Sequence, residues 1–181
     1  EWFAQENARD GVAPNAAHRF MADLERAGKL SAVVTQNIDG LHQRAGSERV
    51  LELHGNWSRL TCTGCGERFT LDDVDGARSG AVPRCPACAS VLRPDIVFYG
   101  GMLDSDVLEG SVRAISEADL LIVAGTSLVV YPAAGLIDYY AGERLVLMNA
   151  TPTPYDSRAD LIIREPVGQV FQELERLRRQ P

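Results

Sequence analysis

Short apolar runs alternate with helical stretches along this chain. The runs at 32–35, 50–53, 95–99, 120–124, 145–148 and 161–163 have the length and composition of buried strands. Residues 15–27, 104–117 and 132–141 suit helices, and a last apolar stripe starts at Val167 and continues to Leu177. Strands that alternate with helices of this length predict an α/β fold with a parallel sheet and helices on both faces.

One segment interrupts this alternation. Residues 57–94 are rich in glycine and proline turns and contain all four cysteines of the chain. Such a segment is typical of a small inserted module with its own organising centre. We therefore predict one parallel-sheet domain made of residues 1–56 and 95–181, with an inserted module at 57–94.

The four cysteines form two C-x-x-C pairs. Cys62 and Cys65 are separated from Cys85 and Cys88 by nineteen residues, a spacing that lets both pairs bind one ion as in a zinc ribbon. Four sulfur ligands leave no position for water, so the predicted zinc ion is structural. Two disulfides, or thiols without a ligand, remain the alternative.

The composition narrows the classes of partner. The chain has 181 residues, 45% of them hydrophobic, and a formal net charge of −7. This charge argues against direct nucleic-acid binding, which needs a basic face, and favours basic peptides. No apolar run is long enough to span a membrane, so we expect no membrane partner. Metal-spaced cysteines suit a reducing compartment, and we predict a cytoplasmic protein.

Polar residues follow three of the predicted strands where ligands bind in open α/β sheets. They are Gln36, Asn37 and Asp39 after the first strand, His54 after the second, and Thr126 and Ser127 after the fourth. Taken alone, Asn37 and Asp39 could form an Asx turn. The other strand ends favour a ligand site, in which an imidazole is a natural general base. His18 and His42, which lie near core positions, favour structural roles.

The order of these motifs resembles a sirtuin, the family of NAD-dependent protein deacylases. The matching segments cover most of the chain and are Pro14–His18, Thr35–Gly46, Leu53–Gly55, the four cysteines, Arg93–Gly100 and Gly125–Ala133. The resemblance implies a Rossmann-like NAD-binding domain with an inserted zinc module, one structural zinc ion, and NAD as co-substrate.

The resemblance also implies roles for the residues that follow the first two strands. Asn37, a catalytic residue, and Asp39 would hold the nicotinamide carboxamide, with Ile38 lining that pocket. Gln36 would contact the nicotinamide ribose. His54 would be the general base that acts on the ribose hydroxyls.

Further residues would bind the rest of NAD and the substrate. Gly125, Thr126 and Ser127 would face the phosphates and ribose, Asn149 the adenosine ribose, and Val167 the adenine edge. The peptide would add as a strand, and the Val97 carbonyl would accept the acyl-lysine N–H. The implied substrate residues are Val97, Phe98, Tyr99, Gly100, Val129 and Tyr131.

The implied activity is removal of acetyl groups from lysine residues of proteins or peptides. Its products would be nicotinamide, the free lysine and O-acetyl-ADP-ribose. Two other functions remain open at this point. Some relatives transfer ADP-ribose to proteins, and a zinc-stapled interaction module would need no catalysis.

Three departures from the family pattern matter. The amino-terminal Gly-Ala-Gly phosphate loop and its strand are absent, so we expect residues 1–181 to be an inactive portion of a longer protein. Gly101 occupies a position where members often carry glutamate. At the spacing where succinyl-preferring members carry tyrosine and arginine, this chain has Trp2 and Gln5, which predicts deacetylation over desuccinylation.

Overall fold

The structure is a computed structural model, and it describes residues 12–74 and 81–180. Trp2 and Gln5, on which the predicted acyl preference rests, lie outside the described residues. The chain divides into two compact units. The described residues of unit 1 are 12–13, 37–41, 54–74 and 81–102, and those of unit 2 are 14–36, 42–53 and 103–180.

The described chain contains eight strands and four α-helices. The strands are β1 Val33–Thr35, β2 Val50–Glu52, β3 Gly55–Cys62, β4 Arg68–Thr70, β5 Leu92–Ile96, β6 Leu121–Ala124, β7 Leu145–Met148 and β8 Leu161–Ile163. The helices are α1 Ala16–Arg26, α2 Leu41–Arg44, α3 Ser105–Ser116 and α4 Val167–Arg178, with 3-10 helices at Ala133–Tyr139 and Asp156–Arg158.

All parallel pairing lies in unit 2, as the alternation of strands and helices predicts. β1 pairs with β2, and β6, β7 and β8 form a second sheet in that order. The parallel strands therefore make two hydrogen-bonded sheets rather than one. One apolar core includes Val34 and Leu53 on the side of the first sheet and Leu145 and Leu147 of the second. The two sheets are separate hydrogen-bonded ladders, but apolar burial packs them together.

A second apolar cluster of unit 2 holds its first and last helices together. Phe171 of α4 is 1% exposed and lies 5.4 Å, ring to ring, from Phe20 of α1. Helix α1 begins at a capping box, in which the Asn15 side chain accepts the His18 N–H while the His18 ring faces the Asn15 N–H. The structural role predicted for His18 is confirmed by this cap.

Unit 1 is built on a small antiparallel sheet. Its strand order is β4-β3-β5, and the register shifts between Asn56 and Leu60, where β3 is irregular. Leu60, Leu71 and Leu92 are almost fully buried beside two of the cysteines. A core of this size is small, and a metal ion bound by the cysteines would add to its stability.

Two predicted elements differ from the structure. The helix expected at 132–141 is a 3-10 helix over residues 133–139, and it contains Gly135, a residue type that disfavours an α-helical interior. The strand expected at 95–99 ends at Ile96, because Phe98 to Gly101 form a turn closed by a 2.8 Å hydrogen bond from Gly101 N to Phe98 O.

A further finding concerns membranes. Within residues 12–74 and 81–180, every helix is too short or too polar to cross one.

Burial of Phe171 predicts a large stability effect. We expect Phe171→Ala to lower the free energy of unfolding by about 3–5 kcal/mol, because it leaves a cavity against Phe20 and Met148. Urea denaturation would measure this loss. Leu177→Ala, on the same helix and 49% exposed, serves as the control and should change the free energy by less than about 1 kcal/mol.

Candidate functional site

The four cysteines come together in unit 1. Their sulfur atoms all lie within 4.8 Å of one another, and none is in a disulfide. The Cys62 and Cys88 sulfurs are 3.4 Å apart, and those of Cys65 and Cys85 are 3.7 Å apart. Four sulfurs placed about 2.3 Å from a tetrahedral zinc ion are separated by about 3.8 Å, whereas a disulfide needs about 2 Å. The arrangement therefore fits a structural zinc ion and excludes the alternative of two disulfides.

The surroundings of the sulfurs lower the pKa of two of the thiols, which favours the thiolate form that binds a cation. Backbone N–H groups, first that of Cys65, lower the pKa of Cys62. Hydrogen bonds from Ser90 lower the pKa of Cys88 to about 6. The Glu67 N–H lowers the pKa of Cys65, but the neighbouring sulfurs and burial outweigh it and raise that pKa to about 12. A divalent cation would favour the thiolate form of Cys65 in spite of its raised pKa, because a coordinating thiol is deprotonated.

His54 is fixed by the backbone on both of its sides. Gly55 has φ +76°, and a Cβ at this position would lie 2.0 Å from the Asp95 carbonyl oxygen, so only glycine fits. The His54 carbonyl accepts a 3.0 Å hydrogen bond from the Val97 N–H. The sheet of unit 1 thus ties the candidate base directly to the first of the candidate substrate residues.

The polar loop that precedes α2 is tied to the same sheet. The Ile38 carbonyl accepts the Trp57 N–H at 3.1 Å, and the Asp39 carboxylate accepts the Leu41 N–H at 3.0 Å. The second bond is the Asx turn that the sequence offered as an alternative. It leaves Asn37 exposed. Turn formation and ligand binding are therefore compatible in this loop.

Strand pairing in unit 2 places the carboxyl ends of β1 and β2 side by side. β1 and β2 are parallel, with Thr35 opposite Glu52, and the Leu53 N–H extends the ladder to the Thr35 carbonyl. Gln36, the next residue of unit 2, is half-buried. The chain thus passes from two matched strand ends into the segments that begin at Asn37 and His54.

A second set of strand ends gathers polar groups in unit 2. The Gly125 N–H donates to the Met148 carbonyl at 2.9 Å, and the Asn149 N–H donates to the Ile163 carbonyl at 3.0 Å. Gly125 has φ +66°, and a Cβ there would meet no atom within 4 Å. The open space beside Gly125 suits the close approach of a ligand. Thr126 caps the next turn, because its hydroxyl accepts the Leu128 N–H at 3.2 Å.

The remaining predicted residues are exposed or packed to different degrees. Phe98, Tyr99, Gly100, Ser127, Val129 and Tyr131 are exposed, and Val97 is half-buried. Tyr99, at the tip of the turn, is fully exposed. Val167 begins α4 and packs against the cluster around Phe171, so it also has a core contact.

Sequence reasoning missed several residues that shape these sites. Asn56 is 5% exposed, and its side-chain oxygen accepts hydrogen bonds from Ser58 N–H and hydroxyl at 2.9 and 2.7 Å. Ser90, beside Cys88, and Arg164, directly after β8, were also missed. For Arg164 the sequence contained one indication, which is its position directly after a strand, the same position that Asn149 has.

Comparison with known proteins identifies relatives over most of the chain. A sequence model described as the Sir2 family matches residues 1–132. A protein of Clostridium acetobutylicum named NAD-dependent protein deacetylase is 49% identical over 172 residues, which are 95% of this chain and 70% of the relative. A protein of the same name from Clostridium perfringens is 52% identical over 163 residues, which are 87% and 64%.

Solved structures give the same result. A complex described as Sir2-p53 peptide-NAD+ is 41% identical with a TM-score of 0.83 and covers 97% of this chain, which spans 72% of that one. Sir2 bound to acetylated peptide is 42% identical with a TM-score of 0.84, at 92% and 71% coverage. The chain thus spans about two thirds of the length of its first relatives.

The cysteine cluster predicts a measurable metal content. We expect about one zinc ion per chain by mass spectrometry of the metal, and loss of most of it in Cys85→Ser, since an alcohol is a poor ligand for zinc. Cys85 is 3% exposed, so Ser111→Ala, another buried position with little volume change, is the control and should keep its zinc. Full zinc content in Cys85→Ser would contradict the four-sulfur site.

The close approach at Gly55 predicts a second effect. Gly55→Ala should lower the free energy of unfolding by several kcal/mol, because the methyl group meets the Asp95 carbonyl in addition to the strained φ. Gly66→Ala is the matched control: its φ is +75°, but a Cβ there meets no atom within 4 Å. Thermal unfolding of the two variants should differ, and equal losses would show that φ alone matters.

Proposed function

The chain belongs to the Sir2 family, and on that premise we propose that its protein is an NAD-dependent protein-lysine deacetylase. The observation that carries the proposal is the hydrogen bond from Val97 N–H to the His54 carbonyl. This bond fixes a candidate general base to the strand end that would receive the acyl-lysine. The names of the deacetylase relatives and of the acetylated-peptide complex support the same activity.

NAD is the proposed co-substrate, and the residues present are of suitable types. Asn37 and Asp39 offer amide and carboxylate groups for the nicotinamide carboxamide, Ile38 an apolar wall, and Gln36 a ribose contact. The open space at Gly125 gives a phosphate room to approach. The complete proposed set is Gln36, Asn37, Ile38, Asp39, His54, Gly125, Thr126, Ser127, Asn149 and Val167.

His54 performs the proton transfer in this proposal. NAD supplies an ADP-ribose group that accepts the acetyl oxygen as nicotinamide leaves. The His54 imidazole removes a proton from a ribose hydroxyl, so that this oxygen can attack the acetyl carbon. Asn37 orients the nicotinamide end. Attack by the ribose oxygen expels the lysine amine, and one water molecule completes the reaction, so the products are nicotinamide, free lysine and O-acetyl-ADP-ribose.

The substrate is an acetylated lysine in an extended peptide. The Val97 carbonyl accepts the lysine amide N–H, and the peptide backbone pairs with Val97–Gly100 and Val129–Tyr131. Most of these residues are exposed. Recognition through the backbone permits many substrates, and the net charge of −7 favours basic ones.

The zinc ion acts only on structure. All four of its ligands are sulfur, so it offers no position to a substrate. We propose that residues 57–94 form the zinc module of an NAD-binding domain made of 1–56 and 95–181. The reduced thiols that the site needs support a cytoplasmic location.

Removal of the base tests the proposal. In the natural protein that carries this chain, His54→Ala should lower kcat for an acetyl-lysine peptide at least about 100-fold, because the ribose hydroxyl keeps its proton. Mass spectrometry would follow deacetylated peptide, nicotinamide and O-acetyl-ADP-ribose. Unchanged zinc content and circular dichroism would show that the variant is folded.

The same assay separates the alternatives. With NAD labelled in the adenosine, a deacetylase places label in small molecules, whereas an ADP-ribosyltransferase places it on protein. A wild-type rate on acetyl-lysine in His54→Ala would contradict the proposed role of His54. A succinyl-lysine peptide run in parallel should react more slowly than the acetyl peptide.

A further inference from the structure

Arg164 bonds to three groups around the loop that follows β7. Its Nη1 donates to the Asn149 carbonyl and to the Thr151 carbonyl, both at 3.0 Å. Its Nη2 forms an ion pair with the Asp156 carboxylate. Since Arg164 directly follows β8, one guanidinium joins the carboxyl ends of two neighbouring parallel strands.

The acceptor of the ion pair is itself held in place. Asp156 accepts the Thr153 N–H at 3.1 Å and the Thr153 hydroxyl at 2.8 Å. These Thr153 bonds, first that of the hydroxyl, and then Arg164 lower the pKa of Asp156, so the carboxylate stays ionised at neutral pH. Thr153 is 9% exposed, which anchors this corner of the loop in the core.

Asn149 is directly coupled to this network. Its side-chain N–H group donates to the Thr151 carbonyl at 2.9 Å and to the Thr151 hydroxyl at 3.2 Å. The Thr151 carbonyl therefore accepts bonds from both Asn149 and Arg164. The guanidinium holds the backbone of Asn149 and also the group that orients its side chain.

We propose that Arg164 is a positioning residue for NAD affinity, acting through Asn149 on the adenosine ribose. This inference rests on the proposed function, in which Asn149 binds that ribose. The charge of Arg164 is directed into the loop and balanced by Asp156. Arg164 thus orders the loop before NAD arrives, and its loss raises the entropic cost of binding without touching the reacting atoms.

An arginine is specifically suited to this task. Its planar group carries five N–H donors in a fixed fork, and here that fork reaches two carbonyls and one carboxylate. A lysine has the same charge but presents it as a compact ammonium on a flexible stem. Arg164→Lys should therefore restore only part of what Arg164→Met loses.

Steady-state kinetics of the natural protein test the inference. For Arg164→Met we expect the KM for NAD, and the Kd for ADP-ribose by calorimetry, to rise about tenfold, since bonds from a charged donor are lost. The kcat at saturating NAD and the KM for acetyl peptide should stay within about twofold. Arg164→Lys should fall between Arg164→Met and wild type.

Arg158→Met provides a matched control. Arg158 also forms an ion pair, with Asp138, and lies over the Tyr155 ring. It takes no part in the hydrogen bonds that Arg164 makes to the Asn149 and Thr151 carbonyls. Its removal should leave the KM for NAD unchanged. Asp156→Asn, which keeps the shape and removes the charge, should raise the KM for NAD several-fold and also covers the case in which Arg164→Met does not fold.

The inference is overturned if Arg164→Met and Asp156→Asn bind ADP-ribose as wild type does, or if Arg158→Met weakens binding equally. It is also overturned if kcat falls while the KM for NAD stays constant. Calorimetry separates this result from failure of the proposed function. A wild-type protein that never deacetylates, but whose affinity for ADP-ribose falls in Arg164→Met, would refute the activity and leave the role of Arg164 standing.

Discussion

The backbone ladder between parallel strands is the constraint on which the polar strand ends of unit 2 depend. Neighbouring parallel strands end at the same edge of a sheet, so residues far apart in sequence leave from adjacent points. In unit 2 this holds for Gly125 and Asn149, whose N–H groups bond to the strand beside them. Polar residues placed just after such strands therefore lie close together because of backbone pairing alone.

The sequence allowed the strands of unit 2 to be predicted well because each is a short run of apolar residues. The bounds of β7 and β8 agree with the runs at 145–148 and 161–163. Where backbone geometry competes with apolar content, the prediction was wrong. β5 ends at Ile96, ahead of the turn from Phe98 to Gly101, and the helix that contains Gly135 is a 3-10 helix, so neither feature follows from hydrophobicity.

The candidate site likewise has features that the sequence indicates and features that it does not. The spacing of four cysteines is a local signal, and their clustering confirms it. The need for glycine at position 55 comes from Asp95, forty residues away, and the bonds of Arg164 come from a loop that precedes it. Such requirements arise from approach in space, so sequence pattern alone gives no sign of them.

Strand β3 connects the cysteine cluster to the backbone beside His54. It begins directly after His54 and ends at Cys62, so one strand of roughly 25 Å runs from the candidate general base to one of the four clustered cysteines. Gly55 at its start has no room to adjust against Asp95. A chelator or an oxidant that removes an ion from the sulfurs would therefore loosen the far end of the strand whose first residue follows His54.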